Sequence, residues 1–242
     1  MRFFLRWVLL LAIAVAGLQM YFVGRIVLMM VTDPQSSAFE RSEAWRLLHQ
    51  PDKAFVWQQQ WVVYEEISDN LKRAVIASED GDFIYHDGVE WEAIERAWKK
   101  NSIAEQRASK RNPRSKSNAP KIVGGSTITQ QLAKNIFLSG ERNLMRKAQE
   151  FVLSIALELI LPKERILEIY LNSVEWGEGV FGAEAAAQRY FGKSASRLTA
   201  YEAARLAVIL PRPKFFEKVP QSTYVSGRAQ TIMARMGDAE LP

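Results

Sequence analysis

The sequence predicts a mainly α-helical protein. Three observations carry this: helical spacing of apolar residues almost to the C-terminus after Thr127, no sustained strand-like alternation, and a long apolar run at the N-terminus. There is no internal repeat. With 242 residues, 48% of them hydrophobic, the chain can bury one sizeable core plus appendages and is too short for two independent enzyme domains.

The apolar run comes first. Between Trp7 and Gly24 there is no charge, and beyond Arg25 the run resumes as IVLMMV. At about 1.5 Å per helical residue this crosses a hydrocarbon layer of about 30 Å, with Arg25 near enough to one end to snorkel. A cleaved signal peptide is the competing reading, since Arg2 and Arg6 would serve as its basic start. The run is longer than a usual signal core and lacks a small-x-small cleavage site, which favours an uncleaved anchor. Residues 1–6 then form a cytoplasmic tail held by Arg2 and Arg6, residues 7–31 the transmembrane anchor, and everything beyond lies outside. Residues 32–65 read as a connector of short helices or extended chain.

Ser68 caps a helix ending near Gly81, with Leu71, Ala74, Val75 and Ser78 on its spacing. Another runs from Glu90 to about Asn101. Residues 102–122 are nearly devoid of apolar side chains and read as a mobile basic loop. Thr127 with Gln130, and Thr199 with Glu202, have capping-box spacing; Pro162 opens a helix, and Pro211 and Pro213 stop one. The helix containing FVLSIALELIL is apolar almost all round, which predicts full burial. Residues 66–242 make up the catalytic domain.

Composition narrows the chemistry. No cysteine is present and His49 and His86 are the only histidines, which excludes disulfides, thiolate metal sites and a multi-histidine zinc site. Carboxylates, hydroxyls and cations must do the work. A net charge of +5 and a pI near 9.4 point to an anionic partner, and the anchor directs that reading to lipid rather than nucleic acid.

Three stretches could carry a reaction. In GGSTITQQLAKN, Gly124 and Gly125 precede a helix start, so free N–H groups and the Ser126 and Thr127 hydroxyls would face one anion, with Lys134 two turns on. In ERNLMRKAQE, the spacing of Arg142, Arg146 and Glu150 puts them on one helix face with Lys147 beside them. In EDGDFIYHDG, Glu79 ends a helix, where the dipole disfavours its charge and improves it as a base; Phe83 and His86 follow. Taken singly, these are equally a capped helix after a glycine turn, a surface charge ladder and a solvated acidic turn.

In order and approximate spacing, these stretches together with KERILEIYLNSVEWGEGVFGAEAAAQRYFGK resemble the peptidoglycan glycosyltransferases that polymerise lipid II. The resemblance spans about residues 60–236 and four motifs: E-D-x-x-F-x-x-H-x-G, G-[GA]-S-T-[IL]-[ST]-Q-Q-x-x-K-N, R-K-x-x-E and K-x-x-I-L-x-x-Y-L-N. The chain carries no transpeptidase S-x-x-K or K-T-G motif, which is similar to the monofunctional type. The resemblance implies a lysozyme-like, two-lobed domain and inverting β-1,4 transfer from a glycan strand on undecaprenyl pyrophosphate to lipid II. It makes Glu79 the base and Glu150 the second essential carboxylate. Lys134, Arg142 and Arg146 hold the pyrophosphate, with Ser126, Thr127 and Gln130 at the donor. Asp80, Phe83, His86, Asn135, Lys147, Tyr170 and Asn172 support the cleft. No cofactor is required; a divalent activator such as Mg²⁺ near Glu150 is chemically reasonable. Expected partners are lipid II, the growing strand, phospholipid, and cell-wall synthesis or division proteins; the expected location is the inner membrane, catalytic domain in the periplasm. The loop 102–122 is longer and more basic than such a family leads one to expect, which suits anionic head groups. The rivals are an anchored lysozyme-like glycan-cleaving enzyme and a non-catalytic scaffold.

Overall fold

The computed structural model describes residues 1–50, 55–92, 95–96, 98–100, 102–103, 125–138 and 143–242. Helix dominates. The first, α1 (Arg2–Leu28), is 27 residues long with a mean hydropathy of 2.0 over its most apolar stretch, long and apolar enough to cross a membrane. After it, α2 (Ala38–Leu48) occupies part of what reads as a connector. Its start is a closed capping box, Ser37 Oγ accepting from Glu40 N at 2.9 Å and Glu40 Oε2 accepting from Ser37 N at 2.7 Å.

Then come α3 (Asp69–Glu79), capped by Ser68; α4 (Ile128–Phe137), capped by Thr127; and α5 (Leu144–Ile160), capped by Asn143. They are followed by α6 (Lys163–Ser173), α7 (Ala183–Phe191), α8 (Ala200–Ile209), the single turn α9 (Pro213–Phe216) and α10 (Thr223–Met233). The Thr199–Glu202 box closes at α8, and Pro162 stands at the N-cap of α6. The residues described between 91 and 100 are helical, as expected; Ser102 and Ile103 are helical too, where the loop was expected to begin, and the rest of the loop 102–122 lies outside the described residues.

The helices pack in two groups. In one, α3 lies against α8 and α10; in the other, α4 lies against α5 and α6. Every side chain of α6 from Ile166 to Ser173 is buried. A small sheet in the order β1-β3-β2 joins β1 (Gln58–Gln59), parallel to β3 (Val180–Phe181), with β2 (Glu175–Gly177), antiparallel to it. Gly179 turns between β2 and β3 at φ +73°, and a Cβ there would stand 2.1 Å from Val56 O, so only glycine fits.

The end of α1 packs on the domain: Phe22, Ile26 and Met29 are buried, and the Phe22 ring meets Phe137 edge-on at 5.6 Å. Gln19 and Gln149 exchange hydrogen bonds at 2.9 and 3.0 Å, and Arg165 donates to Met29 O, Thr32 O and Asp33 Oδ1 at 2.8–2.9 Å. The expected full burial of α5 is corrected. Its Glu150, Leu153, Ser154 and Leu157 face the core, whereas Leu144, Met145, Val152, Ile155 and Leu159 are exposed. An all-round apolar helix requires apolar surroundings on every side, and here protein supplies them on only one.

Candidate active site

The site is built where the end of α3 meets the start of α4. Glu79 is the last residue of α3, and Asp80 is its C-cap. Asp80 is buried and uses both oxygens: Oδ1 pairs with His86 Nε2 at 2.9 Å and Oδ2 accepts from Ile128 N at 2.9 Å. His86 Nδ1 accepts from Gly88 N at 3.1 Å, so Nε2 carries the proton donated to Asp80. Gly88, at φ +84°, lets this turn close on α5, since a Cβ would come within 2.9 Å of Glu158 Cγ and 3.0 Å of Ser154 O. Phe83 packs beneath it, fully buried.

This arrangement corrects the expected anion cradle. The first N–H of α4 is taken by Asp80, and the Thr127 hydroxyl donates to Gly88 O at 2.7 Å while accepting from Gln130 N at 3.1 Å. Thr127 and Gln130 are buried. A carboxylate of the protein therefore holds the helix start that an external anion was expected to occupy, and the same bonds fasten α4 to the Glu79 turn. Ser126 is exposed, with Lys147 Nζ 3.4 Å from its hydroxyl.

Glu79 receives a different partner. Gln131 Nε2 donates to Glu79 Oε2 at 3.0 Å, and Gln131 Oε1 accepts from Tyr170 OH at 3.1 Å. This line of bonds fixes the Gln131 amide, because only its NH₂ can serve a carboxylate. Burial raises Glu79 above the ordinary carboxylate range and Asp80 adds to this, while Gln131, Ser78 and Lys134 pull it back. Burial, then Glu79 and Asp80, push Tyr170 well above the usual phenol value, so it serves as a neutral donor.

Cations line the adjoining space. Lys134, one turn beyond Gln131 on α4, borders a cavity of about 380 Å³ together with Gln131, Asn135, Arg146 and Glu175. Glu150, 3% exposed, is held between Arg146 Nη1 at 2.8 Å and Lys147 Nζ. Arg146 Nε is buried and has no hydrogen-bond partner among the described residues, while the Arg146 side chain borders the cavity. Arg142 lies outside the described residues. Asn172 stands apart, bonding Val62 N and O at 3.0 and 2.9 Å and so fastening the incoming chain to α6. Beside the site, Lys163 Nζ bonds His86 O and Glu158 at 2.6 and 2.8 Å, and Thr129 bonds the same Glu158 at 2.6 Å.

The donor set does not suit a divalent ion. Both Glu150 oxygens face cations, and among the described residues no group of three or more His, Asp or Glu could hold a metal.

The transglycosylase family model matches residues 49–237. The chain belongs to the transglycosylase family. A biosynthetic peptidoglycan transglycosylase of Burkholderia thailandensis is 53% identical, over 93% of this chain and 82% of that protein. Those of Paraburkholderia phytofirmans and Bordetella pertussis are 48% and 49% identical, over 98% and 93% of this chain and 94% and 88% of theirs. The transglycosylase is thus a glycosyltransferase. Sequence reading passed over Gln131 as the partner of Glu79, and over Glu158 and Glu175. The last two sit among apolar and aromatic neighbours in sequence, and only folding brings them to the cleft.

Proposed function

We propose that this transglycosylase polymerises lipid II by inverting β-1,4 transfer, with Glu79 as the base that takes the acceptor 4-hydroxyl proton and undecaprenyl pyrophosphate as the leaving group. Its class, a peptidoglycan glycosyltransferase of cell-wall synthesis, follows from the family and from relatives near 50% identity. The observation that carries the finer reading is the pairing of a buried carboxyl, Glu79, with a cavity one turn away that is lined by the cations Lys134 and Arg146.

The chemistry suits that pair. A diphosphate departs as an anion, so cations that neutralise its growing charge replace the acid that a sugar leaving group needs. A glycan-cleaving enzyme needs a second, protonated carboxyl at the leaving oxygen. Glu150 is ill placed for it, because Arg146 and Lys147 hold both its oxygens. In this reading Glu150 sets Arg146 against the cavity. The exposed apolar face of α5, continuous with α1, and an 810 Å³ cavity lined partly by Trp91, Phe151, Ile155 and Leu159 suit the prenyl chain and the bilayer surface. The domain then faces the periplasm from the inner membrane.

The test is gel analysis of products from the purified chain and labelled lipid II. Glycan polymer is expected from the wild type, and Glu79→Gln should lose at least about 100-fold in rate, the lower end of what a positioned base contributes, while folding and binding lipid normally. Near-wild-type polymerisation by Glu79→Gln would remove Glu79 from the mechanism, and cleavage of preformed glycan without polymer would favour the lysozyme-like rival.

A further inference from the structure

One carboxyl on the wall of the 380 Å³ cavity has no part in the reaction as proposed. Glu175, the first residue of β2, is 5% exposed, and its Oε1 has no hydrogen-bond partner among the described residues. The nearest cation, Lys214 Nζ, stands 3.4 Å from it. A buried carboxyl oxygen whose one ion pair is this long is poorly compensated, and Glu175 lines the space that Lys134 and Arg146 also border.

Lys214 compensates it only in part, because that cation is shared. Lys214 is closer to Glu43 of α2, at 2.5 Å; Glu43 also takes Arg46 at 2.8 Å, and Arg46 reaches Glu178 at 3.1 Å. Glu217 accepts from Glu178 N at 2.8 Å, and the Tyr190 hydroxyl donates to Trp176 O at 2.8 Å. Among these groups the carboxyls outnumber the cations. Burial above all, with Glu43 adding, pushes Glu175 up to about 7, against the pull of Lys214 and Arg46. Near neutrality it therefore holds a proton part of the time. A carboxylate there would repel a diphosphate; a carboxylic acid would not, and its O–H needs an acceptor.

We propose that Glu175 is a substrate-positioning residue: its protonated carboxyl donates a hydrogen bond to an amide carbonyl or hydroxyl oxygen of the N-acetyl sugar whose diphosphate lies at Lys134 and Arg146. The proposal rests on the transfer reaction set out above. It also gives a function to α2, which precedes the family-matched residues 49–237 yet supplies Phe39 to the cavity wall and Glu43 to the cluster. The segment ahead of the family domain thus helps to set the protonation of a group inside the cleft.

The experiment is steady-state polymerisation of labelled lipid II by the full chain, with KM and kcat measured from pH 6 to 8.5 for wild type, Glu175→Gln and Glu175→Ala. The wild-type KM is expected to rise as pH passes upward through 7, as the donor proton is lost. Glu175→Gln keeps an N–H donor and cannot ionise, so its KM should match the low-pH wild type and stay flat. Glu175→Ala should raise KM about tenfold at pH 6 with kcat within about twofold, the loss of one hydrogen bond. A purely structural role would not separate KM from kcat or abolish the pH dependence in the amide variant. The proposal is overturned if Glu175→Gln shows the same pH-dependent rise as the wild type, or if Glu175→Ala, when folded, keeps the wild-type KM. Should alanine prevent folding, the glutamine pH profile decides. Absence of polymer from the wild type would instead strike at the transfer reaction itself.

Discussion

Replacing Gln131 with methionine tests the wiring of the base without touching the base. In the native site the Gln131 amide donates to Glu79 at 3.0 Å and accepts from Tyr170 at 3.1 Å. A hydrogen bond to a charged group contributes roughly 1.5–3 kcal/mol, and this one favours the ionised form of Glu79 against the burial that raises it. Its loss therefore drives Glu79 further up. The sign follows directly: only the ionised carboxylate takes a proton, so activity below the midpoint falls while the high-pH plateau is kept. Taking the lower figure, the rate on the acid limb should drop about tenfold. The same change strands the buried Tyr170 hydroxyl, at a cost of about 1–3 kcal/mol of stability. The assay is kcat/KM for polymerisation from pH 5 to 9, beside thermal unfolding. A uniform loss at every pH with an unmoved acid limb would show that Gln131 does not act through Glu79, and the relay argument would fail.

Two further outcomes concern the scaffold. Asp80→Ala removes both bonds that join the Glu79 turn to His86 and to the start of α4; it should cost about 3 kcal/mol and lower Tm with a parallel loss of kcat, and an unchanged Tm would contradict the clamp. Gly179→Ala places a Cβ 2.1 Å from Val56 O at a positive φ; a loss of about 2 kcal/mol or more should appear as a Tm drop of several degrees, and a wild-type Tm would show that the β2–β3 turn differs from the one described.

The helices were legible because their ends are written in short local codes. Ser68, Thr127 and Thr199 cap where their spacing says they should. The same code, Ser37 to Glu40, marks α2, yet the surrounding polar and aromatic residues read as a connector. Local spacing does not reveal what a helix leans on. Glu79 and Glu150 stood out because charge interrupts a helical pattern at each. What fills the space around them depends on contacts between distant residues. Gln131 reaches Glu79 across 52 positions, and Lys214 reaches Glu43 across 171. The start of α4 differs from the expected anion site for the same reason: the chain nearby shows a free helix start, whereas Asp80 arrives from 48 residues upstream to occupy it.

The grip on the end of α1 bears on how the enzyme is carried. A leashed catalyst samples a range of heights and headings over the bilayer. Here, facing glutamines, a ring on Phe137 and an arginine collar at Met29–Asp33 bolt span and body together. Gln149, to which the span is fastened, is the residue next to Glu150. Any tilt of α1 is therefore passed to the cation-bearing helix.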